Sequence, residues 1–136
     1  AASDVYKRQL ENCPNIEELS LENNDELSSL EFLKSGKKLQ VFCLTEQSLD
    51  DYSAIAACSQ LKSLTLTGCD ISDLSILNGM ENLESLQLSR TNVSEAKNIL
   101  ELKKLKELYI VDTPLAEKEE ELALIYQKFP DIEIRK

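Results

Sequence analysis

A six-residue apolar pattern recurs along this chain at a fixed interval. Leu39-x-x-Phe42-x-Leu44, Leu61-x-x-Leu64-x-Leu66, Leu83-x-x-Leu86-x-Leu88 and Leu105-x-x-Leu108-x-Ile110 repeat every 22 residues. An earlier copy, Ile16-x-x-Leu19-x-Leu21, starts 23 residues before Leu39, and a half copy, Phe129-x-x-Ile132-x-Ile134, follows the last full one. A period of this length marks stacked supersecondary units rather than one closed core. Within each unit the fourth and sixth positions are two apart, so both point to the same, inward side of a short strand. The eleventh position is apolar again at Leu49, Ile71, Val93 and Leu115, with Leu27 one place late in the longer first copy. A second apolar pair follows at Tyr52/Ile55, Leu74/Leu77 and Ala96/Ile99. Each unit therefore supplies a strand, a turn and a return segment. None can bury its apolar side alone, so the units must stack.

The expected fold is an α/β repeat solenoid, with a parallel concave β-sheet and short helical or irregular turns on the convex side. The ninth position holds Asn24, Gln47, Cys69, Thr91 and Thr113. A short polar side chain inside the turn can bond backbone groups that would otherwise be buried without partners, so this column reads as structural. On the return limb, Asp50-Asp51, Ser72-Asp73 and Ser94-Glu95 offer a capping side chain and then an acid to free N–H groups. Thr113-Pro114 suits a helix start. Leu122, Ile125 or Tyr126, and Phe129 form an apolar stripe at helical spacing. These predict a closing helix over Glu117 to Phe129 and a terminal strand carrying Ile132 and Ile134. The repeats then occupy residues 10–115 and the C-terminal cap residues 116–136.

The first nine residues, Ala1 to Gln9, carry no such periodicity. AASDVYKRQ resembles the translation of a transposon adapter used to prepare sequencing libraries. It is set outside the fold as non-native, which points to bacterial environmental DNA and to a missing N-terminal cap. Ile16, Leu19 and Leu21 would then leave an open edge prone to self-association. Without Asp4, Lys7 and Arg8 the chain keeps 13 basic and 24 acidic residues, a net charge of −11. Such a surface repels phosphate backbones and disfavours nucleic-acid binding. No apolar run approaches the ~18 residues of a membrane span.

The repeats resemble the 22-residue leucine-rich repeats of internalins and of protein phosphatase-1 regulators. The stretch LKSLTLTGCDISDLSIL, Leu61 to Leu77, carries the internalin-like turn, and the likeness runs from Ile16 to about Leu115. It implies a leucine-rich-repeat horseshoe segment whose parallel-strand face binds a protein partner. The ninth position departs from the usual Asn after Asn24, and copy two has Phe42 and Tyr52 in place of Leu.

Catalytic chemistry finds little support. There is no His, which removes the usual general base and triad member. The glycines Gly36, Gly68 and Gly79 are too scattered to cradle a phosphate. No cysteine pair has metal-ligand spacing, so neither a metal nor a cofactor is expected. Cys13 and Cys58 share an otherwise apolar column and are expected to be buried. They sit two coils apart, roughly 10 Å at ~4.8 Å per coil, beyond the ~7 Å that a disulfide allows. All four cysteines are read as free thiols.

The outward columns define the candidate surface. Position three holds Glu18, Val41, Ser63, Ser85, Glu107 and Asp131. Position five holds Ser20, Cys43, Thr65, Gln87, Tyr109 and Glu133. Position seven holds Glu22, Thr45, Thr67, Ser89, Val111 and Arg135. Tyr109 and Val111 beside Arg90 are chosen as the anchor, because Tyr and Arg are enriched at binding hot spots. Gln87, Val41, Glu18 and Glu22 complete the partner-binding set, although Ser, Thr and β-branched residues also suit any sheet surface. The expected function is a non-catalytic protein-interaction module of a bacterial surface or secreted protein. The alternatives are a cytoplasmic scaffold or regulatory subunit, whose reducing compartment suits free thiols, and a passive spacer.

Overall fold

The structure is a computed structural model that describes residues 2–136. One six-stranded, fully parallel sheet runs through it in sequence order. Its strands are β1 (Glu18–Glu22), β2 (Val41–Thr45), β3 (Ser63–Thr65), β4 (Ser85–Gln87), β5 (Glu107–Tyr109) and β6 (Glu133–Arg135). Short 3-10 turns at Glu31–Ser35, Ser53–Ala57, Ser75–Leu77, Ile99–Glu101 and Pro114–Glu117 form the return limbs. This is the expected α/β repeat solenoid. Strand pairing keeps equal repeat positions side by side, as in Val41↔Ser63 and Leu64↔Leu86.

The core lies where the inward positions put it. Leu64, Leu86 and Leu108 at position four and Leu44, Leu66, Leu88 and Ile110 at position six are completely buried. Position eleven and the return-limb pairs, from Tyr52/Ile55 to Ala96/Ile99, are buried too. A stack of thin coils thus shares one continuous aliphatic core, each layer covered by its neighbours.

The ninth-position column closes the turns. Thr91 Oγ1 donates to the Leu88 carbonyl and Thr113 Oγ1 to the Ile110 carbonyl, both at 2.7 Å. Cys69 Sγ reaches the Leu44 carbonyl at 3.4 Å. Gln47, in the amide orientation that satisfies both its ends, donates to the Asn24 carbonyl at 3.1 Å. Asn24 itself is only half-buried, and its Nδ2 donates to the Tyr6 hydroxyl. On the return limb the acid itself is the cap: Asp51 Oδ1 accepts from the Ser53 N–H at 2.8 Å and Asp73 Oδ1 from the Ser75 N–H at 2.9 Å. The residue ahead of the acid had been the expected cap.

Both ends depart from expectation. Residues 1–9 had been placed outside the fold, and Ala1 lies outside the described residues. Ala2–Asn12 forms helix α1. Leu10 of α1 is buried, the Tyr6 ring lies 5.3 Å from that of Phe32, and Ser3 Oγ donates to the Ser29 carbonyl. The first coil is therefore covered on its return limb, which weakens the basis for self-association there, while Ile16 and Leu19 stay half-buried. Cys13 is exposed rather than buried, with no coil among the described residues stacked over its column; Cys58, with Leu33 and Gly36 against it, is buried. At the other end the expected helix divides into the 3-10 turn Pro114–Glu117 and helix α2 (Glu119–Lys128). Ile125, not Tyr126, faces the core.

The last strand also sits in a different register. Glu133 pairs with Glu107, Ile134 with Leu108 and Arg135 with Tyr109, two residues beyond the alignment that places Asp131 at position three. A shift of two keeps every side chain on its own face. It nevertheless moves Arg135 from position seven into the row of Tyr109.

Candidate interaction surface

The outward side chains of the sheet form one surface. Val41, Cys43, Ser63, Thr65, Ser85, Gln87, Glu107 and Tyr109 are all partly exposed, and Glu18, Ser20, Glu22 and Val111 are exposed. The register lines up Ser20, Cys43, Thr65, Gln87, Tyr109 and Arg135 as one row across six strands. Ser63 and Ser85 flank its middle at position three and Thr67 and Ser89 at position seven, so small hydroxyl-bearing residues surround Thr65 and Gln87. Glu18 and Glu22 stand at one end, and Glu107 and Glu133 at the other.

The predicted partner-binding residues divide into two groups. Gln87 and Tyr109 are cross-strand neighbours, and the Arg90 N–H donates to the Val111 carbonyl at 2.8 Å. Val41, Glu18 and Glu22 lie on β1 and β2, three to four strands from Tyr109, roughly 14–19 Å at ~4.8 Å per strand. Arg90 does not turn toward Tyr109. Its Nη2 pairs with Glu46 Oε1 at 2.6 Å, two coils away. The guanidinium that does lie near Tyr109 is that of Arg135, 5.5 Å from the ring centroid. Tyr109 donates its hydroxyl to Glu107 Oε2 at 3.3 Å, and Arg135 Nη2 pairs with Glu133 Oε1 at 3.1 Å.

Solved structures with the same architecture superpose on the chain. Internalin C2 from Listeria monocytogenes aligns with a TM-score of 0.71 at 23% identity, over 92% of this chain and 53% of that one. A leucine-rich-repeat protein from Leptospira interrogans aligns at 0.70 and 21% identity, over 94% of this chain and 39% of that one. A chain of the Drosophila melanogaster SNF/U2A′ complex aligns at 0.64 and 19% identity, over 91% and 78%. The chain has the leucine-rich-repeat fold. It spans about half the length of the internalin structure. No protein-family model and no curated protein sequence matches it.

The leucine-rich-repeat turns hold a column that the sequence reading missed. Position eight is left-handed in every full copy: Asn23 (φ 37°), Glu46 (54°), Gly68 (73°), Arg90 (57°) and Asp112 (57°). In the first four copies its N–H donates to the position-seven carbonyl of the following coil, at Thr45, Thr67, Ser89 and Val111. The strand ladder thus continues past the strand while the chain bends away. Asn, Gly and Asp are the residues that tolerate this conformation, and they were the available signal. Glu46 and Arg90 obscured it. Gly68 lies between those two, and a Cβ there would come within 2.5 Å of the Glu46 carboxylate. The absent side chain is what lets Glu46 and Arg90 meet across a coil.

Off the concave face, a depression of about 250 Å³ between the second and third return limbs is lined by Asp50, Asp51, Asp70 and Asp73, among others. Asp51 and Asp73 are engaged there as caps. Hydrogen bonds from the side chain and N–H of Ser53 hold the Asp51 carboxyl below its ordinary range, and those from the N–H and side chain of Ser75 do the same for Asp73. Burial pushes the Cys58 thiol up to about 11 and that of Cys69 upward. Among the described residues no group of three or more Cys, Asp or Glu is placed to hold a metal ion, and no helix is long and apolar enough to cross a membrane.

Proposed function

We propose that the concave sheet face is a protein-binding surface and that the chain is a non-catalytic interaction segment of a larger bacterial surface or secreted protein. The carrying observation is the continuous row of outward side chains across six strands, which the core does not use. Its residues are free to be chosen for a partner, since the inward columns alone bury the aliphatic layer. Two similar solved chains come from multi-subunit structures, the SNF/U2A′ complex and the Chaetomium Mex67:Mtr2 subunits (TM-score 0.54), which supports a partner-binding use of this fold. Fold alone assigns no use, so the test has to address the face.

Thr65→Arg places a long charged side chain at the middle of the row without touching the core. Fragments of environmental bacterial proteins displayed on phage are selected against the natural chain and then offered this variant. The expected result is a set of binders that hold the natural chain and lose Thr65→Arg, with spectral perturbations confined to positions three, five and seven. Binders that hold both equally would put the binding surface elsewhere and overturn the proposal; a selection that yields no specific binder would overturn it too, in favour of a passive spacer. The exposed thiol of Cys13 and the half-exposed one of Cys43 favour a second reading, a scaffold in a reducing compartment, which uses the same face.

A further inference from the structure

Four residues at the C-terminal end of the concave face form a block with an unusual charge arrangement. Glu107 and Glu133 stand directly opposite each other on β5 and β6, and Tyr109 stands opposite Arg135. Like charges directly opposite each other across strands destabilise a sheet, and a neighbouring cation offsets that repulsion by Coulomb attraction. Here the cation is the Arg135 guanidinium, against the Tyr109 ring and paired with Glu133. An aromatic face flanked by carboxylates is the arrangement that takes up a guanidinium.

We propose that Tyr109, Glu107 and Glu133 form a seat for an arginine side chain of the partner, and that Arg135 occupies this seat until the partner displaces it. The proposal rests on the protein-binding reading of the concave face and names the partner's chemistry: an extended segment bearing basic residues. Arg135 is easily displaced. Its ion pair with Glu133 is more than half exposed on both sides, and among the described residues β6 pairs only with β5. The net charge of −10 draws a basic segment to the surface. From the seat, the position-five row leads past Gln87, Thr65, Cys43 and Ser20 to Glu18 and Glu22. That distance is roughly 19 Å at ~4.8 Å per strand, about six residues of extended chain. The fitting segment has basic residues about six apart.

The probe is a fluorescein-labelled heptapeptide with arginine at both ends and alternating Ser and Gly between, followed by fluorescence anisotropy at low salt. Circular dichroism checks that each variant is folded. Arg135→Gln empties the seat and should tighten binding about fivefold. Lys136→Gln makes the same charge change without emptying the seat and should alter binding by less than about twofold. Tyr109→Leu removes the ring and should weaken binding about fivefold or more. Equal gains for Arg135→Gln and Lys136→Gln would reduce the effect to bulk charge and overturn the proposal. Undiminished binding by Tyr109→Leu, or no binding by any form up to about 1 mM, would do the same. If Thr65→Arg blocks the selected protein binders while Tyr109→Leu and Arg135→Gln leave them unaffected, the face stands as a binding surface and the seat falls.

Discussion

Gly68 is the position at which the left-handed column and the Glu46–Arg90 pair depend on one missing atom. Gly68→Ala therefore incurs two losses. A Cβ in the left-handed region costs roughly 1–2 kcal/mol, offset in part by the lower chain entropy of unfolded Ala, about 0.4–1 kcal/mol. The new methyl group also meets the Glu46 carboxylate at 2.5 Å, so Glu46 must swing aside and release Arg90. That pair is about half exposed, at 55% and 45%, and screening limits its worth to at most about 0.5–1 kcal/mol. The expected net cost is about 1–2 kcal/mol, read from urea unfolding followed by circular dichroism. Repeating the substitution in a Glu46→Ala background separates the two losses, because the clash and the lost pair vanish while the backbone cost remains. The penalty should then fall by about 0.5 kcal/mol or more. A Gly68→Ala protein within about 0.3 kcal/mol of the natural chain would refute the backbone argument, and an equal penalty in both backgrounds would show that Glu46 does not fill the space above Gly68.

Leu64→Ala, Leu86→Ala and Leu108→Ala, each at a position with no exposed surface, should cost ~2–5 kcal/mol apiece; denaturant melts near the natural midpoint for all three would invert the assigned faces. Thr113→Ala removes the bond to the Ile110 carbonyl and the acceptor for the Ala116 N–H. It should cost about 1–2 kcal/mol, more than Thr91→Ala, which loses the bond to Leu88 alone. In the native state at pH 8 a thiol reagent should modify Cys13 quickly and Cys43 more slowly, leaving buried Cys58 and Cys69 until the chain is unfolded; rapid reaction of all four would contradict the packing of both columns. Because the Asp51 and Asp73 carboxyls are held below their ordinary range, their stabilisation is complete above the unfolded Asp value of about 3.9 and is lost as pH falls through the lowered folded values. Asp51→Asn with Asp73→Asn should flatten the acid limb of a stability–pH curve, and an unchanged limb would count against the capping role.

The repeat made the scaffold readable because one signal, an inward aliphatic at positions one, four, six and eleven, is written anew in each coil and dictated by burial. Thr91 and Thr113 were readable for a related reason: a buried turn needs a hydroxyl, and few residues provide one. The features that escaped depend on relations between coils. Cys13 and Cys58 hold the same repeat position, yet among the described residues it is Cys58 that an earlier coil, with Leu33 and Gly36, covers. Helix α1 contacts the solenoid through Ser3, Tyr6 and Leu10, too few residues to register as a period. The left-handed state of Glu46 and Arg90 is imposed by the ladder their N–H groups join, against their own preference.

The β6 register shows how such a relation bears on function. Helix α2 replaces the usual return limb, so the last strand follows β5 at an offset of 26 residues, from Glu107 to Glu133, instead of 22. Alternation alone allows offsets of 24 and 26 equally, since both keep Ile134 on the inner side. Under the first, Arg135 stands beside Val111 and Tyr109 is an uncovered aromatic anchor. Under the second, Arg135 lies against Tyr109 and two glutamates face each other. The composition of the face is identical in the two cases, and only the neighbours change. An inward column can be read one coil at a time, because every coil needs the same thing from it. An outward column acquires meaning from which side chain stands beside which, and that is set by strand pairing, which composition and periodicity leave undetermined to within a multiple of two residues.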